Sequence, residues 1–399
     1  MGKSNNHTFG TRAIHFGYNP QDFHCAISPP VFFNATYGFS TVADNESAAA
    51  QGGMLYAREF NPTVDLLEKR LANLEGAEDC IALASGMAAI GTMFLSLMSA
   101  GDELIVHETL YSNTVALIDE ALPRFGIKVT PVDLTNQVNL EAAISDKTKL
   151  VFFESPVNPL GEVIDIKAVS ETAKHRGVLV CVDSTFASPW LQRPIELGAD
   201  LVMHSLTKYI SGHGDVLGGA VLGRKEHIHI LRDRGLRYIT GAVLSPMTAM
   251  LIMRGLKTLP LRMKQHADSA IYIAEKLQAH PKVAWVSYAF LPSHKHYDLA
   301  RCQMSAGSGM MSFGLHAGFD GARELMDGLN MIAIAVSLGE PETLIMHPAS
   351  LKRARQAIRS DAARLVEGVN EDLIRLSIGL EDQEDIWADL ETGLTKVSD

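Results

Sequence analysis

The stretch from Val178 to Asp215 constrains this chain more than any other. It opens with Val178 to Val182, a short apolar run rich in β-branched residues and preceded by Gly177, which reads as a buried central strand. Asp183 ends that run. A second run, Ala199 to Met203, leads into His204-Ser205-Leu206-Thr207-Lys208, and Gly212-His213-Gly214 follows. Two strand ends therefore present an acid and a lysine, and in an open α/β sheet ligands gather outside the carboxyl ends of strands. A lysine among small hydroxyl residues, with an aspartate from a neighbouring strand end, suits pyridoxal phosphate. The lysine amine condenses with the cofactor aldehyde, the aspartate keeps the ring nitrogen protonated, and Ser205 and Thr207 offer hydroxyls to the phosphate. The plainer alternative is an Asp that caps a helix and a Lys that is merely solvated.

The flanking sequence favours the first reading. Ile81 to Ala84 predicts a short strand, and Ser85-Gly86-Met87 opens a helix whose N-terminal N–H groups make an anion site that a glycine leaves accessible. Strands at Glu103 to Val106, Lys128 to Val132 and Lys149 to Glu154 alternate with helices at Thr114 to Leu122 and Leu140 to Ile144. Repeated βα units predict a doubly wound, mostly parallel sheet covered on both faces. Asn158, in Glu154-Ser155-Pro156-Val157-Asn158-Pro159, is either a donor to a ring hydroxyl or an ordinary turn asparagine.

Before this block, residues 1–61 lack a sustained period and read as an irregular, extended arm; a helix starts at Pro62 or Thr63. The cofactor domain is expected over 62–255. Beyond it, helices at Leu261 to Leu277, at Gly321 to Leu329 and from Gln383, with strands at Val283 to Tyr288, Gly309 to Gly314 and Ile332 to Val336, predict a smaller α+β domain over 256–399.

Composition narrows the partners. With 35 basic and 46 acidic side chains the formal charge is −11, and no basic tract stands out, so a nucleic-acid partner is not expected. The 47% hydrophobic and 20% charged content is that of a packed globular chain. The uncharged span Cys80 to Gly101 contains Ser85-Gly86 and Gly91-Thr92, which fit a strand, a turn and a buried helix better than a membrane span. Nothing in Met1 to Asn6 reads as a secretory leader or myristoylation signal, so a cytoplasmic location is expected. Cys25, Cys80, Cys181 and Cys302 form no CxxC pair, and neither a metal site nor a disulfide framework is expected.

Taken together, TRAIHFG, YxRxxNPT, ASGMAAI, ETLY, ESPxNP, VDSTFASP, HSLTKYISGHGD, GAVLSP, RGLKTLxLRM, AVSLGEPETLIMHPAS and IRLSIGLED resemble the Cys/Met-metabolism family of pyridoxal-phosphate enzymes over essentially the whole chain. That group contains cystathionine γ-synthase, cystathionine lyases, O-acetylhomoserine sulfhydrylase and methionine γ-lyase. The resemblance implies the aspartate-aminotransferase-like fold (PLP fold-type I), with pyridoxal 5'-phosphate carried on Lys208 and its ring nitrogen held by Asp183. Tyr111 matches a tyrosine that stacks on the ring and exchanges a proton with substrate, pure stacking being the alternative. Ser85, Gly86, Met87, Ser205 and Thr207 match phosphate contacts, and Thr185 and Asn158 further cofactor contacts. Arg375, with Ser337, matches residues holding the substrate carboxylate, a task for a forked guanidinium. Tyr56 and Arg58 match arm residues that reach the neighbouring subunit's cofactor, implying shared sites in a homotetramer built as a dimer of dimers, and a small amino acid as substrate.

The departures concern the leaving group. Cystathionine enzymes carry a glutamate where this chain has Val336, as methionine γ-lyases do, which favours γ-elimination of methionine to methanethiol, 2-oxobutanoate and ammonia. Methionine γ-lyases, however, have a cysteine at the position of Asn113, a Lys-Asp pair at Arg237-Tyr238 and a different loop at 347–355. Glu59 follows Arg58 on the arm where those enzymes are apolar. If the arm folds over the neighbouring site, Glu59 and Asn113 suit a cationic far end, making canavanine (to homoserine and hydroxyguanidine) an alternative substrate. The bland alternative is a Glu59 that is solvated or bridged to a surface lysine. Replacement of the O-acetylhomoserine sulfhydrylase or cystathionine γ-synthase type is the remaining alternative.

Overall fold

The run ending at Asp183 forms the middle strand of a seven-stranded sheet. The computed structural model describes residues 7–51, 53–358 and 370–398, so the leader reading of Met1 to Asn6 and the Arg355 side chain lie outside the described residues. The strands are β1 (Asp79–Leu83), β2 (Glu103–His107), β3 (Lys128–Val132), β4 (Thr148–Glu154), β5 (Leu179–Asp183), β6 (Leu201–Ser205) and β7 (Gly219–Gly223), in the order β1-β7-β6-β5-β4-β2-β3. Strands β3, β2, β4, β5 and β6 pair in parallel, while β7 runs antiparallel between β1 and β6.

Alternation of side chains fills both faces. On one, Phe152, Cys181 and Met203 pack with Ile90, Met93 and Phe94 of helix Gly86–Leu97. On the other, Val151, Phe153, Val180 and Val182 meet Ile166, Val169 and Ala173 of helix Ile166–Lys174. Burial on both faces is why these strands read as unbroken apolar runs. Strand β7 was not legible, because its glycines weaken a strand signal. The packing requires them: a Cβ on Gly219 would lie 2.2 Å from the Ser85 carbonyl, and one on Gly223 2.5 Å from that of Asp200.

A second sheet holds β8 (Val283–Ser287), β9 (Met310–Leu315), β10 (Ala333–Ile334), β11 (Leu344–Met346) and β12 (Leu373–Ser377), ordered β10-β11-β12-β9-β8. All its pairs are antiparallel except β10 with β11. Helices Leu259–Ala279, Gly318–Asp327 and Gln383–Lys396 cover one face, over Phe313, Ile374 and Leu376. The period of two in β12 turns Arg375 and Ser377 to the opposite face.

The first 61 residues depart from the irregular, extended reading. They contain helices Phe9–His15 and Val42–Ala50 and a 3₁₀ turn at Pro20–Phe23. The helix at Val42 is started by the Thr41 hydroxyl, which accepts from Asp44 N–H at 3.1 Å, but it buries no side chain and so shows no apolar stripe. Helix Pro62–Glu75 begins as expected, with Asn61 accepting from Thr63 and Val64 N–H. The span Cys80 to Gly101 resolves into β1 and helix Gly86–Leu97, and among the described residues no helix is long and apolar enough to cross a membrane.

Candidate active site

Glu154, Asp183 and Ser205 end β4, β5 and β6 side by side, and a cavity of about 380 Å³ opens there. Its wall includes Ser85, Gly86, Met87, Tyr111, Asn113, Asn158, Asp183, Thr185, Ser205, Thr207, Lys208, Val336, Ser337 and Arg375. The β sheet supplies the acids and hydroxyls, the start of helix Gly86–Leu97 supplies backbone donors, and β12 supplies the guanidinium from the second sheet. One concavity thus collects side chains spread over almost 300 positions of sequence.

Asp183 accepts from the Thr185 N–H at 3.0 Å, and the Thr185 hydroxyl oxygen in turn accepts from Ser205 N–H at 2.8 Å. Burial raises the Asp183 carboxyl above its ordinary value, more than Thr185 and His204 lower it. No ion pair reaches this carboxylate among the described residues, so a cationic ring N–H would complete it. Lys208 donates to Ser337 Oγ at 2.8 Å. Burial, and then the Arg375 charge, lower its amine; Glu340 works the other way. A lowered pKa keeps more of the amine neutral, the form that can attack a carbonyl carbon or accept a proton.

The phosphate end also fits. A Cβ on Gly86 would stand 3.1 Å from Ser205 Cβ and 3.2 Å from Ser205 Oγ, so a larger residue would crowd this corner. The Ser85 hydroxyl caps the helix through Ala88 N–H at 3.1 Å, and the first-turn N–H groups of that helix form the anion site expected from its geometry. Thr207 lines the same cavity. Its hydroxyl donates to the Gly218 carbonyl (3.3 Å) and accepts from the Gly218 N–H (3.0 Å), so it braces the Lys208 turn as well as lining the cavity. Buried carboxylate, lysine, backbone donors and small hydroxyls together are a donor set that fits pyridoxal phosphate.

Arg375 is 8% exposed and has no carboxylate partner among the described residues. It donates to Asn158 Oδ1 at 3.1 Å and to the Ser337 carbonyl at 3.0 Å, and burial lowers it to about 10. Ser337 has φ 140°, a conformation side chains rarely adopt, and serves Arg375 through its carbonyl and Lys208 through its hydroxyl. Tyr111 presents its phenol to the Asn113 amide, which donates to it at 2.9 Å, and its ring is 40% exposed.

Sequence reasoning quoted Glu154 within a motif but gave it no part. It is 5% exposed and accepts from Tyr111 N–H at 2.6 Å and Asn158 N–H at 3.0 Å. Burial and then the Asp183 charge push it up to about 8, against the two N–H groups and Arg375. The available signal was an acid ending the apolar strand next to that of Asp183.

Tyr56, Arg58 and Glu59 are not brought to this cavity. Arg58 lies over the Tyr56 ring at 5.0 Å, and Tyr56 is 42% exposed. Glu59 is neither free nor beside the cavity of its own chain: it pairs with Arg237 at 3.2 Å. That is a surface pairing of the kind expected as the alternative, with an arginine in place of a lysine.

A model of the family described as "Cys/Met metabolism PLP-dependent enzyme" matches residues 10–395. The L-methionine gamma-lyase of Pseudomonas deceptionensis is 45% identical over 98% of both chains. An O-succinylhomoserine sulfhydrylase of Pseudomonas aeruginosa is 41% identical, covering 97% of this chain and 95% of that protein. Among solved structures, the metB protein of Corynebacterium glutamicum superimposes with a TM-score of 0.90 at 38% identity, over 98% of both chains.

Proposed function

This chain belongs to the Cys/Met-metabolism family of PLP-dependent enzymes, and from that premise we propose that it is a γ-lyase converting methionine and water to methanethiol, 2-oxobutanoate and ammonia. Lys208 and Asp183 would hold the cofactor at its reactive and nitrogen ends, with Gly86, Met87 and Ser205 at its phosphate and Thr185 and Asn158 beside its ring. When bound, the cofactor supplies an aldehyde that condenses with an amino group and a protonated ring that accepts the electron pair left at Cα. The Arg375 guanidinium takes the substrate carboxylate. The Lys208 amine would take the Cα proton, give it up on the cofactor side of the site and, neutral again, take one from Cβ, while the Tyr111 phenol gives its proton to the departing γ-atom.

The observation that carries elimination is the apolar part of the cavity lining: Leu110, Val336, Leu338, Met346 and Leu351 line it, which suits a thioether, and Val336 offers no carboxylate to the distal amine of cystathionine. Assay of 2-oxobutanoate from methionine alone, beside O-acetylhomoserine with sulfide, tests the reading. Turnover of methionine as the main reaction is expected; efficient replacement with negligible elimination overturns it. The same reading has the arm to about Asn61 serving the neighbouring subunit in a cytoplasmic homotetramer.

Canavanine is the alternative substrate: on an arm crossing to the neighbouring site, Glu59 would have to exchange Arg237, its partner at 3.2 Å, for the substrate's guanidinium, with Asn113 alongside. Glu59→Gln is then expected to lower kcat/KM for canavanine by about 1.5–3 kcal/mol while sparing methionine. An unchanged canavanine-to-methionine ratio leaves methionine alone.

A further inference from the structure

Glu154 is a second acid at the cavity floor, in register with Asp183 across β4 and β5. Burying a carboxylate beside another carboxylate is unfavourable, so its contacts are informative. One oxygen takes the N–H of Tyr111 and the other that of Asn158. Tyr111 is the residue immediately before the short helix Ser112–Ala116, and no side chain of its own caps that helix. The Glu154 bond therefore fixes the point from which the phenol enters the cavity. Asn158 passes the constraint on: its Oδ1 receives Arg375, Arg375 reaches the Ser337 carbonyl, and the Ser337 hydroxyl receives Lys208. Tyr111, Glu154, Asn158, Arg375, Ser337 and Lys208 thus form one continuous hydrogen-bonded series around the cavity wall.

We propose that Glu154 is a positioning residue for the reaction, holding the Tyr111 phenol and the Asn158–Arg375 pair in one frame through its two oxygens. This rests on the parts assigned to Tyr111 and Arg375 under the proposed function. A carboxyl group is the side chain for the task because, ionised or protonated, each of its oxygens keeps a lone pair for one N–H, whereas an amide has one acceptor and would turn its NH₂ toward the other backbone N–H. The Glu154→Gln variant keeps shape and volume but loses one of the two bonds.

The test has two arms on Glu154→Gln, with Glu154→Asp, whose shorter carboxylate reaches one donor, as the substitute if the first does not fold. In cofactor-free protein, amide hydrogen exchange at Tyr111 or Asn158 is expected to quicken about tenfold or more, with Leu150 to Phe153 in β4 and the melting temperature little changed. In the loaded enzyme, the cofactor absorbance is retained while kcat falls about 10- to 100-fold, and KM changes less than kcat. Wild-type exchange at both amides overturns the proposal, as does wild-type kcat. Loss of activity that tracks general loosening of β4 and a lower melting temperature also overturns it, since that is a purely structural part. If the wild-type enzyme eliminates no amino acid, the function reading fails by that result, and the exchange arm still judges the clamp.

Discussion

The ends of β4, β5 and β6 and the arm around Tyr56 to Glu59 both carry side chains that sequence motifs single out, yet their environments differ. Around the cavity the charges are buried: Arg375 on β12 is 8% exposed with no carboxylate partner among the described residues, and Glu154 and Asp183 stand side by side. On the arm, Tyr56 is 42% exposed and Glu59 is paired at the surface with Arg237. A pocket that keeps unpaired opposite charges at its two ends is prepared for a zwitterionic ligand and a charged ring. On the arm the charges are already satisfied within the chain, Glu59 by Arg237 and Arg58 over the Tyr56 ring.

Substitutions at the strand ends should therefore cost most. Lys208→Ala is expected to lower kcat at least about a thousandfold and to abolish covalent labelling when the yellow holoenzyme is reduced with borohydride. Label on another lysine would break the contrast. Arg375→Lys comes next, since an ammonium lacks the fork that spans Asn158 and Ser337 while facing a carboxylate. A loss of about 10- to 100-fold in kcat/KM, carried mainly by KM, is expected from steady-state kinetics.

The smallest effect concerns pH and requires no turnover. Burial and Asp183 raise Glu154 to about 8 in the folded chain, against about 4.3 when unfolded. A carboxyl raised on folding binds its proton more tightly in the native state. Its contribution is therefore fully present below the unfolded value and is lost as pH rises toward the folded one. The melting temperature of cofactor-free wild type should then fall relative to that of Glu154→Gln between about pH 5 and pH 8. Parallel curves would show that the acid is not stressed, and would erase the difference between cavity and arm at this residue.

Why one region was legible and the other only in part is physical. Strands β2, β4, β5 and β6 carry their own signal, because burial on both faces demands apolar runs, and Asp183 and Lys208 were found from the ends of two such runs. Helices Leu259–Ala279 and Gln383–Lys396 showed their apolar stripes. Strand β7 and the strand carrying Arg375 escaped: the first is glycine-rich for close packing, and the second was visible only as a motif. Glu154 was missed because its meaning lies in bonds to Tyr111 and Asn158, which are set by the fold. The same holds for Glu59, whose partner is 178 positions away. No local pattern announces such a pair.

Mixing inactive subunits tests the contrast most directly. Lys208→Ala and Arg58→Ala chains, each inactive alone, are unfolded and refolded together with the cofactor, and elimination is measured. If the arm completes the neighbour's cavity, a mixed pair has one intact site, and random pairing restores roughly a quarter of wild-type activity. No recovery, with mixed assemblies demonstrated, would contradict the account, because Arg58 and Lys208 would then act within the same chain.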